Sequence, residues 1–178
     1  MKIIVIGANH AGTAASNTIL DYFKDNEVTI YDRNNNISFL GCGMALWIGE
    51  QISTSDGLFY CNKNVFEEKG AKVHMESEVL SVDDDKKTVK VRLKDGSEVE
   101  DSYDKLIIAT GSRPRSNKLP GEDLENIEVA KLFQDAKKVK AIGEREDIKN
   151  VVVVGSGYIG VELAEAFQRI GKNTTLVT

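Results

Sequence analysis

A chain of 178 residues that is 41% hydrophobic can bury the core of one or two domains. Its 29% charged residues and formal net charge of −5 come with no basic face or run, which argues against nucleic acid as a partner. No apolar stretch approaches the roughly 20 residues that span a bilayer, and two cysteines are too few for a disulfide framework.

Lys2 to Ile6 is a near-continuous β-branched run, the pattern of a parallel strand covered on both faces. Ended so soon by Gly7, it is too short for a signal peptide, and a cytosolic (cytoplasmic) protein is expected. The turn Gly7-Ala8-Asn9-His10-Ala11-Gly12 leads into a helix over Thr13 to Lys24, with Ala14, Ala15, Ile19, Leu20 and Phe23 at helical spacing. Glu27 to Tyr31 is the second strand, with Asp32 at its end. Strand, glycine turn, helix and strand make a βαβ unit of the Rossmann type.

Short helices are predicted over Cys42 to Ile48 and over Asn62 to Lys69, the second stopped by Gly70, before a strand at Lys72 to His74. Glu78 to Val82, Thr88 to Leu93 and Glu98 to Ser102 read as an inserted β-meander, with Asp95-Gly96 turning between the last two. Lys105 to Ala109 is a further buried strand, halting at Thr110-Gly111-Ser112-Arg113-Pro114. Residues 115–128 read as a crossing loop turned by Pro120-Gly121, followed by a helix over Val129 to Lys138 and a polar link at 143–149. The opening pattern then recurs: a strand at Val151 to Val154, the turn Gly155-Ser156-Gly157-Tyr158-Ile159-Gly160, a helix over Val161 to Ile170, and a strand from Thr174 to Val177. The fold class is therefore α/β, a Rossmann-like fold with a β-meander insertion followed by the start of a second Rossmann fold. The boundaries fall at 1–114, 115–149 and 150–178.

Each glycine turn implies a nucleotide. In the second, Gly155 makes the tight bend, Gly157 admits a pyrophosphate to the backbone, and Gly160 lets helix pack on strand. In the first, Asn9 takes the middle glycine's place, tolerable because asparagine accepts φ > 0 better than most residues. Asp32 can accept hydrogen bonds from a ribose there. His10 lies at the start of the helix, where the positive dipole end favours a neutral base. His74, ending a strand, reads as structural.

Cys42 stands between Gly41 and Gly43 at the expected start of a short helix, where the dipole would support a thiolate. The bland alternative is a buried small hydrophobe. No Cys-x-x-Cys or Cys-x4-Cys partner is near, and Cys61 is 19 positions away. Met44 and Trp47 read as helix packing, and no metal site is expected.

Four segments in order, Gly7 to Gly12, Ile37 to Met44, Tyr103 to Ser112 and Gly155 to Glu162, make the chain resemble the single-cysteine pyridine nucleotide–disulfide oxidoreductases. That family includes NADH oxidases, NADH peroxidases and coenzyme A disulfide reductases. The resemblance implies FAD in the first fold and NAD(P)H in the second, with hydride transfer from the pyridine nucleotide to the flavin. The cysteine matching Cys42 would cycle between thiolate and sulfenate, and the histidine matching His10 would transfer protons. Cofactor contacts would come from Gly7, Ala8, Asn9, His10, Ala11, Gly12, Asp32, Cys42, Thr110, Gly111, Ser112, Arg113 and Lys131 on the flavin side. Gly155, Gly157, Tyr158, Ile159, Gly160 and Glu162 would serve the nicotinamide side.

The helix start after His10 looks most like the water-forming NADH oxidases, with oxygen as oxidant. The alternatives are peroxide or coenzyme A disulfide as oxidant, or a nucleotide-binding module without turnover. Gly41 departs from the serine many relatives carry. The resemblance also implies a longer whole protein, in which a later segment completes the FAD domain and an interface domain forms a homodimer. The acidic residue that reads the second ribose is expected beyond Thr178.

Overall fold

Strand β1 (Lys2–Ile6) is apolar on both faces and lies inside a four-stranded parallel sheet, which sets the architecture around it. The chain is described by a computed structural model covering residues 1–116 and 118–178. It divides into two units, residues 1–39 with 59–112 and residues 40–58 with 113–178.

In the first unit β1 pairs with β2 (Glu27–Tyr31) on one side and β7 (Lys105–Ile108) on the other, and β3 (Lys72–His74) extends the sheet beyond β2. Side chains alternate along β1 and sort the core into two layers. Ile3 and Val5 pack with Val28 and Ile30 among residues of helices α1 (His10–Tyr22) and α3 (Lys63–Glu68), notably Ile19, Leu20 and Phe66. Ile4 and Ile6 face the other way, with Tyr31 and Tyr103, onto Val89 and Val91. Those valines belong to the antiparallel meander β4 (Glu78–Asp83), β5 (Thr88–Arg92) and β6 (Glu98–Ser102). The expected hairpin is present: Gly96 takes φ +86° and its N–H donates to the Leu93 carbonyl.

Two expectations in this unit need correction. Helix α1 begins at His10, so the glycine turn itself supplies the first helical turn. Its buried face is Gly12, Thr13, Ser16, Ile19 and Leu20, while Ala14 and Phe23 are exposed. Small side chains at 12, 13 and 16 suit the tight seat, and the Thr13 hydroxyl donates to the Ala8 carbonyl at 2.9 Å. Among the described residues strand β7 lies at the edge of the sheet where a buried strand was expected, and Ile108 is 65% exposed.

In the second unit a 3-10 turn (Gly41–Gly43) runs into helix α2 (Met44–Ile48), which packs against α4 (Phe133–Glu144) and α5 (Tyr158–Arg169). Strands β8 (Asn150–Val154) and β9 (Asn173–Val177) pair in parallel. The short helix expected from Cys42 thus begins at Met44. Helix α4 starts four positions later than expected and runs six further. The Asp135 carboxylate accepts the Leu132 N–H at 2.7 Å and the Lys131 N–H at 3.2 Å, which fixes the start. Ala136, Val139 and Gly143 form one buried face that carries the helix into the expected link. Lys172 Nζ donates to the carbonyls of Arg145 and Ile148 and ties down the rest of that link. Helix α5 begins at Tyr158, three positions early, for the same reason as α1. The expected loop at 115–128 has no regular element among its described residues, and Asn117 lies outside them.

Candidate functional site: two glycine turns and an exposed cysteine

The two glycine turns are built alike. Gly7 takes φ +100° and Gly155 φ +108°, conformations that glycine alone adopts freely. The Gly7 N–H donates to the Tyr31 carbonyl and the Gly155 N–H to the Val177 carbonyl, both at 2.8 Å. A Cβ on Gly12 would stand 1.8 Å from the Gly7 carbonyl oxygen, and one on Gly160 would stand 1.7 Å from that of Gly155. Each turn therefore brings its helix onto its own strand, with the helix N-terminus above the strand's carboxyl end.

The middle position corrects an expectation. Asn9 is the N-cap of α1 at φ −92° and ψ −156°, ordinary extended backbone, as is Gly157 at φ −70° and ψ 176°. Asparagine needs no left-handed conformation here, and the strained position is Gly7.

At the first turn the carboxyl ends of three strands meet. Ile6 is in register with both Tyr31 and Ile108, so Gly7 to Gly12, Asp32 and Thr110 to Ser112 gather at one edge of the sheet. Asp32 is buried; its Oδ2 accepts the Ala8 N–H at 2.7 Å, and its Oδ1 accepts the backbone and side-chain N–H groups of Asn34. Thr110, Gly111 and Ser112 are exposed, with Gly111 at φ +67°. Arg113 and Lys131 are exposed residues of the second unit. His74 stacks on Tyr31 with ring centroids 5.0 Å apart, the structural role expected of it.

His10 is exposed in the first turn of α1, and its Nδ1 lies 3.1 Å from the Tyr60 hydroxyl with the two rings parallel. Tyr60 was not evident from sequence. It is held by Ser38, fully buried at φ +62°, whose hydroxyl accepts the N–H groups of Tyr60 and Cys61 and donates to the Cys61 carbonyl. The only sequence signal was Ser38 itself, a small polar residue inside the apolar run from Ile37 to Leu40.

Cys42 is exposed, which removes the reading as a small buried hydrophobe. It sits in a 3-10 turn ahead of a five-residue helix, so the helix dipole it was expected to feel is weak. Met44 is buried and Trp47 packs on Phe133 at 5.8 Å, as their helical spacing suggests. Cys61 belongs to the other unit, and burial pushes its thiol up from the ordinary value. Among the described residues no cluster of His, Cys, Asp or Glu could hold a metal ion, and no helix is long and apolar enough to cross a membrane.

At the second turn, Gly155, Gly157, Tyr158, Ile159 and Glu162 are all exposed and Gly160 is partly buried. Apart from chain neighbours, no atom of the described residues comes within 4 Å of where a Cβ would stand on Gly155 or Gly157, so the backbone is open there. Ile6 pairs with Tyr31 and Val154 pairs with Val177. Thr178 therefore occupies, in the second turn, the place of Asp32 in the first.

The family model for pyridine nucleotide-disulphide oxidoreductases matches residues 1–178. The chain is 52% identical over 190 aligned positions to an NADH oxidase of Streptococcus pneumoniae, covering 99% of this chain and 41% of that protein. It is 33% identical to an NAD(P)H coenzyme A polysulfide/persulfide reductase of Pyrococcus horikoshii, covering 99% of this chain and 39% of the relative. Among solved structures, a water-forming NADH oxidase from Lactobacillus brevis bound to NADH superposes with a TM-score of 0.94 at 41% identity, over 99% of this chain and 39% of that one. The chain thus spans about two fifths of the length of these relatives.

Proposed function

The chain belongs to the pyridine nucleotide-disulphide oxidoreductase family, and from that premise we propose that it is the N-terminal part of a cytoplasmic, flavin-dependent NADH oxidase. The whole protein would act as a homodimer with oxygen as oxidant. The residue range 1–114 would begin the FAD-binding domain, and 150–178 would begin the NAD(P)H-binding domain. The open backbone at Gly155 and Gly157 and the helix N-terminus at Tyr158 fit a pyrophosphate.

On this reading the first turn, Asp32 and Thr110 to Arg113 hold FAD, with Lys131 as a further cationic contact. Tyr158, Ile159 and Glu162 stand toward the nicotinamide. Bound FAD supplies the chemistry of accepting a hydride and passing electrons to oxygen. Cys42 contributes a thiolate that takes one oxygen atom from peroxide, releasing water and becoming a sulfenate. Two electrons from a second NADH, with protons, return it to the thiolate and release the oxygen as water. His10, tethered to Tyr60, carries the protons.

The exposure of Cys42 in its glycine-bounded turn carries this reading. The test is oxygen uptake by the full-length protein with NADH. The expected stoichiometry is two NADH per oxygen, falling toward one, with hydrogen peroxide released, in Cys42→Ser. Full-length protein that holds FAD yet consumes no oxygen would refute it. The identity to the Pyrococcus coenzyme A polysulfide/persulfide reductase favours a second reading, in which a coenzyme A polysulfide or persulfide takes the electrons. Anaerobic NADH oxidation driven by those oxidants would establish it.

A further inference from the structure

Two separate backbone anchors bring His10 and Tyr60 together. His10 is the first residue of α1, just after the glycine turn, and the Thr13 N–H donates to the Asn9 carbonyl at 2.7 Å to close the first helical turn. Tyr60 comes from a segment 50 positions away, where its N–H donates to the buried Ser38 hydroxyl at 3.1 Å. Ser38 donates its own N–H to the Ala8 carbonyl at 3.1 Å, so the Tyr60 segment is tied to the same turn that starts the helix. The result is a parallel pair of rings, 6° between planes and 5.7 Å between centroids, with the Tyr60 hydroxyl 3.1 Å from His10 Nδ1.

That contact decides which ring nitrogen works. Nδ1 is turned to Tyr60, so a proton delivered to an outside oxygen has to leave from Nε2. For Nε2 to take a proton from solvent and give it up again, Nδ1 must keep its own proton in both charge states of the ring. It can do so as an N–H donating to the Tyr60 oxygen, because a phenol accepts as well as donates. The same hydrogen bond then holds in the charged and the neutral ring, and the stacked phenol limits rotation. We propose that Tyr60 is the positioning residue of His10: its hydroxyl keeps the proton on Nδ1 and fixes the ring, so that Nε2 carries the proton that His10 transfers. The inference rests on the reading of His10 as the proton carrier of the proposed oxidase.

The test is nitrogen NMR of the full-length, FAD-loaded protein with 15N-labelled histidine, in which the His10 signals are those lost in His10→Gln. Once base has removed the ring's positive charge, the expected state carries the proton on Nδ1, whereas a free imidazole prefers Nε2. Tyr60→Phe keeps the stacked ring without its hydroxyl and should return the proton to Nε2. In the same variant oxygen uptake should lose roughly tenfold in kcat with the KM for NADH unchanged, a split that a merely structural role would not give. A neutral His10 with its proton on Nε2 in the parent would overturn the inference, and that state is read without turnover, so it decides even in protein that consumes no oxygen. Tyr60→Phe with the parent's kcat would also overturn it and leave the proton role of His10 standing. His10→Gln consuming oxygen as fast as the parent would overturn that role and the inference together.

Discussion

The Asp32 carboxylate accepts the Ala8 N–H at 2.7 Å, locking the carboxyl end of β2 to the glycine turn after β1. Ala8 is 1% exposed, so its N–H has no access to water if that acceptor is lost. Asp32→Ala is expected to cost about 1–3 kcal/mol, the penalty for a buried donor left unsatisfied. Asp32→Asn keeps one carbonyl oxygen and should lose less. Urea unfolding of the two variants measures both, and equal losses would mean that the hydrogen bond to Ala8 is not the source.

Ser38 makes a comparable lock for the loop that carries Tyr60. Its buried hydroxyl accepts from the N–H of Cys61 at 2.8 Å and of Tyr60 at 3.1 Å and donates to the Cys61 carbonyl at 2.7 Å. Ser38→Ala should destabilise by about 2 kcal/mol or more, because several backbone groups lose their partner at once. Ser38→Gly relieves the positive φ but restores none of these bonds, so it should also be less stable than the parent in denaturant melts.

The cluster of Lys2, Tyr31 and Asp101 gives stability a dependence on pH at both extremes. Burial works against the Asp101 carboxylate, but hydrogen bonds from Lys2 and Tyr31 outweigh it and hold the group below its ordinary 3.8. Its contribution is complete above that value and is lost as pH falls through the lowered one. Burial, then the bond to Asp101, raises the Tyr31 phenol above its ordinary 10.0. That contribution is complete below the ordinary value and is lost as pH climbs beyond it. Urea midpoints across pH should therefore fall at both ends. Asp101→Asn should flatten the acid limb, and Tyr31→Phe the alkaline one.

Much of this was legible in the sequence because the strongest signals are local. The β-branched runs at Lys2 to Ile6 and Asn150 to Val154, each followed by a glycine turn, specify strand, bend and helix within a dozen residues. Asp95-Gly96 likewise specifies its own hairpin. The misses arise where long-range partners decide. Ile108 belongs to an apolar run yet is exposed, because among the described residues β7 pairs with β1 alone. The start of α4 is set by a side chain three residues downstream, Asp135, which apolar spacing does not report. Tyr60 became visible only once Ser38 and His10 were placed beside it. The equivalence of Thr178 and Asp32 needed strand register, because the two glycine turns are followed by segments of different length.

The two cysteines should differ sharply in reactivity, and the difference tests where the redox sulfur lies. Cys42 is exposed in a turn flanked by glycines, and Gly43 is seated so close to Leu58 that a Cβ there would lie 2.7 Å from its Cδ2. That turn presents the sulfur without side chains on either neighbour to shield it. Cys61 is partly buried, packs against the core of the first unit, and has its thiol pushed up by burial. Thiolate supply and access both govern alkylation. At neutral pH a brief treatment with iodoacetamide should therefore modify Cys42 well before Cys61, as read by mass spectrometry of the two peptides. Mild peroxide should give the same order, trapped as a sulfenate adduct with dimedone. If the proposed function holds, bound FAD should slow labelling of Cys42 more than that of Cys61. Faster modification of Cys61, or equal protection of both by FAD, would move the redox centre away from Cys42.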